Sequence, residues 1–234
     1  MIRLLFLDLE TSGIPQLDAY HKYYPYDNLS KYDNSRIVQI GLMIYEYDLT
    51  ASGIASVKAQ FGKKIAEHNY IIKPVGFSIK NDFVHKITEK IAQEKGIDLI
   101  QAFNNITNDI NTCSVFIAHS VLFDKNILLS ELYRAGHPLL DKIKSMKTLC
   151  TARSCADITR IRHQGMFKIP KLSELYYFLF RKHAINLHNA INDVKIMVDC
   201  FHELVRRNLF TINSLGVSKI VKSIPKKVDQ MKSL

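Results

Sequence analysis

The first thirteen residues constrain the fold more than any later stretch. Ile2 to Gly13 reads Ile-Arg-Leu-Leu-Phe-Leu-Asp-Leu-Glu-Thr-Ser-Gly, an apolar strand that ends in two carboxylates two positions apart. Side chains of a strand alternate faces, so Asp8 and Glu10 point the same way while Leu7 and Leu9 anchor the opposite face. Leu4 to Leu7 is apolar at every position, as a central strand covered on both faces requires. A carboxylate pair there needs a compensating cation, for which Mg²⁺ or Mn²⁺ is the natural candidate. The plainer alternative is that Asp8 and Glu10 are ordinary polar residues before a Thr-Ser-Gly turn, and other segments must decide.

Composition sets the outer bounds. A chain of 234 residues with 47% hydrophobic content can bury one sizeable core, so one domain is expected. The formal charge of +10, from 32 Lys and Arg against 22 Asp and Glu, favours an anionic partner such as nucleic acid. Cys113, Cys150, Cys155 and Cys200 form no C-x-x-C pair, so neither a zinc ribbon nor a redox motif is indicated and a reducing compartment is expected. Met1 to Leu7 is too short for a signal peptide's apolar region, and no run approaches the ~20 apolar residues of a membrane span. A soluble intracellular protein, cytoplasmic or nuclear and without a membrane partner, is expected.

Residues 14–36 hold Tyr20, Tyr23, Tyr24, Tyr26 and Tyr32 among His21, Lys22 and Lys31, with neither strand nor helix period. They read as a long loop, packed on the surface or stacking unpaired bases beside the site. Ile37 to Tyr47 is a second strand, a turn follows around Thr50 to Gly53, and a third strand lies near Tyr70 to Ile72. Thr88 caps a short helix. Leu99, Phe103, Ile106 and Ile110 mark an amphipathic helix ahead of an apolar strand, Ser114 to Ala118, and that order implies a parallel crossover. A helix over Asp124 to Ala135 is stopped by Gly136 and Pro138, so Asp124 stands where a helix begins and could be simply a cap. Leu139 to Pro170 is basic and weakly periodic, read as helix and loop. A short helix follows from Lys171. The last long helix carries Ala190, Val194, Met197, Phe201 and Leu204 as its core stripe, with Asp193 beside it and His188 at its entrance.

Taken in order, these residues resemble the DEDDh group of 3′→5′ exonucleases, the DnaQ-like branch of the ribonuclease H-like superfold. The first motif, Asp-x-Glu-Thr, is matched by Asp8-Leu9-Glu10-Thr11. The second is matched by Ala118-His119-Ser120 and Phe123-Asp124, and the third, His-x4-Asp, by His188 and Asp193. Val84-His85-Lys86-Ile87 is similar to a Val-His-Gly-Ile segment that in relatives lies against the terminal nucleotides. The chain departs from the pattern at Ser12 for Thr, Ser120 for Asn and Lys86 for Gly, and in a longer segment after the first motif.

The resemblance implies an α/β fold, a ribonuclease H-like mixed β-sheet flanked by α-helices, over residues 1–210, with 211–234 as a basic C-terminal tail or appended helix. It implies hydrolysis of phosphodiesters from the 3′ end, releasing nucleoside 5′-monophosphates, with two divalent ions ~4 Å apart supporting the reaction. Asp8, Glu10, Asp124 and Asp193 offer only hard oxygen ligands, suited to Mg²⁺ or Mn²⁺ rather than Zn²⁺. Asp8 would bridge both ions, Glu10 and Asp193 would hold the one near the nucleophile, and His188 would take the proton from water. Leu9, Thr11, Ile87, His119 and Phe123 would seat the last nucleotides. DNA is the expected substrate, as in proofreading and repair enzymes, with a DNA polymerase or a second copy of the chain as candidate partners. An RNA-trimming exonuclease and a non-catalytic nucleic-acid-binding or polymerase-associated module are the alternatives. The basic end, with Lys219, Lys222, Lys226, Lys227 and Lys232, is a solvated face, a phosphate contact or a nuclear address.

Overall fold

The apolar run of β1 (Ile2–Thr11) lies at the centre of a five-stranded sheet, where a strand buried on both faces belongs. The computed structural model describes residues 1–49 and 62–220. On one side β1 pairs antiparallel with β2 (Ile37–Tyr47), which pairs antiparallel with β3 (Lys63–Ile71). On the other it pairs parallel with β4 (Val115–Ala118), and β4 with β5 (Lys147–Cys150), so the order is β3-β2-β1-β4-β5. The third strand starts several residues earlier than its apolar end predicts, because β3 is an edge strand whose first residues are exposed and polar. The turn expected around Thr50 to Gly53 lies outside the described residues.

Helices cover both faces. After α1 (Asp82–His85) come α2 (Glu89–Lys95), with the Thr88 hydroxyl accepting from the Ile91 amide at 3.2 Å, and α3 (Leu99–Asn111). Then follow α4 (Val121–Arg134), α5 (Leu139–Ser145), two single turns α6 (Thr151–Ser154) and α7 (Ala156–Thr159), α8 (Leu172–Phe180) and α9 (Ala190–Arg206). Leu5, Leu7 and Leu9 share a core with Phe103, Ile106, Ile127 and Leu128 of α3 and α4. Leu4 and Phe6 face the other way, onto Leu175 of α8 and Val194 and Phe201 of α9. Full burial of each such side chain contributes about 1.5–3 kcal/mol. The period of two that sorts these residues also sends Asp8 and Glu10 to the α9 face.

Several boundaries differ from those expected. Helix α4 begins three residues before Asp124, since the amides of Phe123 and Asp124 both bond to the Ser120 carbonyl, so Asp124 lies in the first turn and Ser120 holds the cap position. The basic stretch expected as helix and loop contains β5, a four-residue edge strand in which only Leu149 is buried and which therefore leaves almost no apolar pattern. It also contains a small hairpin, β6 (Arg162–His163) and β7 (Met166–Phe167). The beginning of the stretch expected as tail or helix is a second hairpin, β8 (Phe210–Asn213) with β9 (Gly216–Lys219), held by Phe210 in the α9 core. Residues 221–234, with Lys222, Lys226, Lys227 and Lys232, lie outside the described residues. Among the described residues no helix is long and apolar enough to cross a membrane.

The tyrosine-rich segment 14–36 is ordered by packing on α4. Tyr32 is fully buried and its hydroxyl donates to the Tyr24 carbonyl at 2.5 Å, while Tyr26 meets Tyr133 edge to face. Arg36 forms a two-pronged ion pair with the buried Glu131, and Arg134 pairs with Asp33 at 2.8 Å.

Candidate active site

Three carboxylates converge where the sequence pattern and the α9 face meet. Asp8, Glu10 and Asp193 each place a carboxylate oxygen within 4.8 Å of the other two. Asp193 reaches them because the first turn of α9 is clamped to β2. Gly41, the cross-strand partner of Asp8, lies directly under it, and a Cβ there would stand 2.4 Å from the Ala190 carbonyl carbon and 2.5 Å from the Ile191 nitrogen. Gln39, the partner of Glu10, accepts from the Ala190 amide at 3.1 Å. Asn189 caps the helix by accepting from the Asn192 amide. Neither Gly41 nor Gln39 was singled out from the sequence, although a glycine inside a strand is a recognised signal of close backbone approach.

Asp124 arrives from the opposite face. Helix α4 packs on the core of Leu7 and Leu9, and strand β4 ends at Ala118, short of the level of Leu9. The Leu9 amide therefore donates to Asp124 Oδ1 at 3.2 Å in place of a strand partner. One backbone residue thus joins the fourth acid to the strand that carries the first two.

The electrostatics describe a cluster short of positive charge. Burial pushes Asp8 well above the usual carboxylate range, and Asp124, Asp193 and Glu10 push it further. Burial and then Asp193 raise Glu10 to about 7. Burial also raises Asp124, against the opposing Leu9 amide, and lifts Asp193 to about 6 although His188 lowers it. Asp193 Oδ1 is buried and, among the described residues, has no hydrogen-bond partner. A helix-capping aspartate would have that oxygen satisfied, whereas a buried orphan lone pair beside two more carboxylates fits a hard divalent cation.

The fold can be compared with solved structures. Exonuclease I from Methylocaldum szegediense superposes with a TM-score of 0.61 at 16% identity, covering 88% of this chain and 41% of that one. A 3′-exonuclease whose structure concerns 3′-end specific recognition of a histone mRNA stem-loop gives 0.58 at 8% identity, over 96% of this chain and 93% of that one. A full-length 3′-exonuclease gives 0.56 at 9%, over 95% and 92%. The fold is shared with 3′-exonucleases. It is the ribonuclease H-like mixed sheet flanked by helices that the sequence resemblance implies. The chain spans less than half the length of the Exonuclease I chain. No protein-family model matches it, and no curated protein matches it in sequence.

The remaining expected residues fall in distinct places. His188 is exposed, just before α9, in a left-handed backbone conformation (φ 63°) that turns its amide onto Asp193 Oδ2 at 3.2 Å. Leu9 and Ile87 are buried in the core. Thr11 is buried too, its hydroxyl donating to the Gly13 carbonyl at 2.6 Å. His119 has both ring nitrogens engaged, Nδ1 with Thr151 and Nε2 with the Pro170 carbonyl, each at 3.0 Å, and burial lowers its pKa to about 4. It acts as a brace between β4 and the chain at Pro170. Phe123 is half-buried, packed against the core of β1 and α4.

Two further residues border the cluster. His85 is buried, and its Nδ1 accepts from the Ile87 amide at 3.1 Å. Tyr23 comes from the tyrosine-rich segment, bridged to Leu17. Burial and then Asp124 raise its pKa, while Arg153 lowers it, so its phenol stands within electrostatic reach of the fourth carboxylate. The density of tyrosines was visible in the sequence, but which of them approaches the acids depends on how the segment folds back over α4.

The clamp at Gly41 gives a direct test. Gly41→Ala is expected to push the first turn of α9 away from β2, costing about 1–3 kcal/mol by overpacking and drawing Asp193 away from Asp8. Thermal melts with and without Mn²⁺ check both effects: a lower metal-free Tm together with a smaller metal-induced rise. An unchanged Tm would show that the helix does not depend on this approach.

Proposed function

We propose that the chain is a metal-dependent 3′→5′ exonuclease of the DEDDh type that releases nucleoside 5′-monophosphates. The observation that carries this reading is the convergence of Asp8, Glu10 and Asp193 within 4.8 Å, with Asp124 bonded to the Leu9 amide beside them, in a fold shared with 3′-exonucleases. Asp8, Glu10, Asp124 and Asp193 would hold two Mg²⁺ or Mn²⁺ ions. When bound, such ions stabilise charge on the phosphate oxygens and support the leaving oxygen. His188, exposed at the mouth and fixed through its own backbone to Asp193, takes a proton from the attacking water. Phe123 and Tyr23 flank the position of the last nucleotide.

DNA is the proposed substrate. The Asp-Leu-Glu-Thr sequence supports it, since RNA-trimming relatives usually place Met after the Glu. A nuclear or cytoplasmic location, with a DNA polymerase or a second copy as partner, belongs to the same reading. Labelled DNA and RNA strands, tagged at either end and incubated with Mg²⁺, Mn²⁺ or EDTA, test it. The 3′ tag is expected to leave DNA at once as mononucleotide, and EDTA to stop the reaction. Rapid internal cleavage of a circular strand would overturn the exonuclease reading, and faster removal from RNA would overturn the substrate.

The raised acids make metal binding pH-dependent in a definite direction. Glu10 at about 7 and Asp193 at about 6 keep protons in the folded protein that the unfolded chain has already lost. Stability contributed by the cluster is therefore present at low pH and lost as pH rises through these values. A bound cation reverses the loss, so Mg²⁺ or Mn²⁺ should raise Tm at about pH 8 and far less at about pH 5, where the acids are protonated. Equal rises at both values would place the ion elsewhere.

A further inference from the structure

The hairpin formed by β6 and β7 is exposed along its whole length, and nothing in the chemistry above uses it. Every residue from Arg162 to Phe167 is exposed. Gln164 and Gly165 at its tip both have positive φ, 47° and 80°, the left-handed pair that a tight two-residue hairpin turn requires. Directly opposed residues share a face: Arg162 with Phe167 on one, His163 with Met166 on the other. The Arg162 guanidinium lies 5.7 Å from the centre of the Phe167 ring, and among the described residues it has no acidic partner. From Ile158 to Ser173 the sequence contains no Asp or Glu, but it contains Arg160, Arg162, Lys168 and Lys171.

Position gives this surface its meaning. Strands β4 and β5 run parallel to β1, so their C-terminal ends lie at the end of the sheet that carries Asp8 and Glu10. The hairpin is reached from the end of β5 through α6 and α7. Its return leg is tied at Pro170 to His119, five residues before Asp124. Buried Ile158 and Ile161 fix its base. An exposed hairpin carrying an aromatic ring beside an arginine that has no acidic partner among the described residues is thus attached at the end of the sheet that bears the carboxylates.

We propose that this hairpin binds the unpaired strand upstream of the 3′ terminus, with Phe167 stacking on a base and Arg162 on a backbone phosphate. The proposal rests on the exonuclease reading for its ligand. Charge complementarity selects nucleic acid over a protein partner: Lys168 is paired with Glu174, but Arg162 has no acidic partner among the described residues and is free to meet a polyanion, and the exposed ring beside it has the sequence-tolerant π-face that single strands use. The hairpin would then favour long substrates over short ones without entering the chemistry.

The test compares wild type with Phe167→Ala and Arg162→Ala, both at exposed positions, after melts show an unchanged Tm. Binding of a fluorescent single strand is measured in EDTA over a range of salt, and turnover is measured on that strand and on a dinucleotide. Phe167→Ala is expected to weaken strand binding about 5- to 100-fold, the value of one stacked base. Arg162→Ala should flatten the log–log salt slope by about 0.7, one phosphate contact on a single strand. Dinucleotide turnover should be unchanged in both. Unaltered strand affinity and salt slope would overturn the proposal, as would an equal loss on the dinucleotide, which would place the effect at the carboxylates. Wild-type protein that binds the strand but cleaves neither substrate would sink the exonuclease reading while leaving the hairpin assignment standing. Wild-type protein that does not bind the strand would overturn the hairpin.

Discussion

Asp8→Asn is expected to remove nuclease activity while leaving a protein that is folded and, without metal, more stable than wild type at neutral pH. Asp8 is the acid on which the charges of all three others converge. Loss of its carboxylate removes a ligand from the centre of the set, and metal support is worth several kcal/mol of transition-state stabilisation. At tenfold per ~1.4 kcal/mol, that is a fall of about a thousandfold or more in kcat. The same substitution removes a buried carboxyl group that burial, and then the three other acids, hold well above the usual carboxylate range, which is why the metal-free protein should gain stability. A residue that only shaped the end of β1 would behave in the opposite way, lowering Tm and sparing turnover per folded molecule. Single-turnover rates and metal-free melts on the same preparation separate the two cases. Asp124→Asn tests the fourth ligand in the same manner, with one difference: its side chain also accepts from the Leu9 amide, and asparagine can keep that bond.

His188→Ala is the second large effect. The imidazole is exposed, and the residue's backbone amide, not its ring, holds Asp193. Substitution by alanine should therefore leave the carboxylates in place and metal affinity nearly unchanged. Loss of a positioned general base typically costs about 10²–10⁴-fold in kcat. The loss should fall on kcat with metal affinity unchanged, because a general base acts in the transition state and not on the resting ligands. Near-normal turnover in folded His188→Ala would remove the ring from the mechanism even with all four acids intact. His188→Gly serves as a control on the backbone, because glycine adopts the left-handed conformation of this position without strain.

How these residues came to be recognised separates what the chain states locally from what it states only when folded. The alternation in β1 placed Asp8 and Glu10 on one face before any partner was known, because a period of two is a property of the strand itself. The stripe from Ala190 to Leu204 likewise fixed the buried face of α9, and so brought Asp193 to the sheet. Thr88 capped α2 as its type predicts. Ordered motifs carried the resemblance to exonucleases, and with it the mixed sheet.

Tertiary structure decided the rest, in each case where a residue's role depends on a segment far away in the chain. The reach of Asp124 to the Leu9 amide depends on β4 ending short of Leu9, a matter of register between strands more than a hundred residues apart. How closely α9 approaches is set by the absence of a side chain at Gly41 and the amide of Gln39, which look like ordinary strand residues until Ala190 lies against them. His119 reads in sequence as a nucleotide contact, and it is the folding of Thr151 and Pro170 against it that occupies both nitrogens of its ring. Strand β5 buries a single residue, so no periodicity could announce it; its backbone bonds to β4 define it. Local periodicity is written in neighbouring residues, but the meeting of distant segments is set by strand register, close backbone approach and hydrogen bonds, none of which leaves a periodic trace.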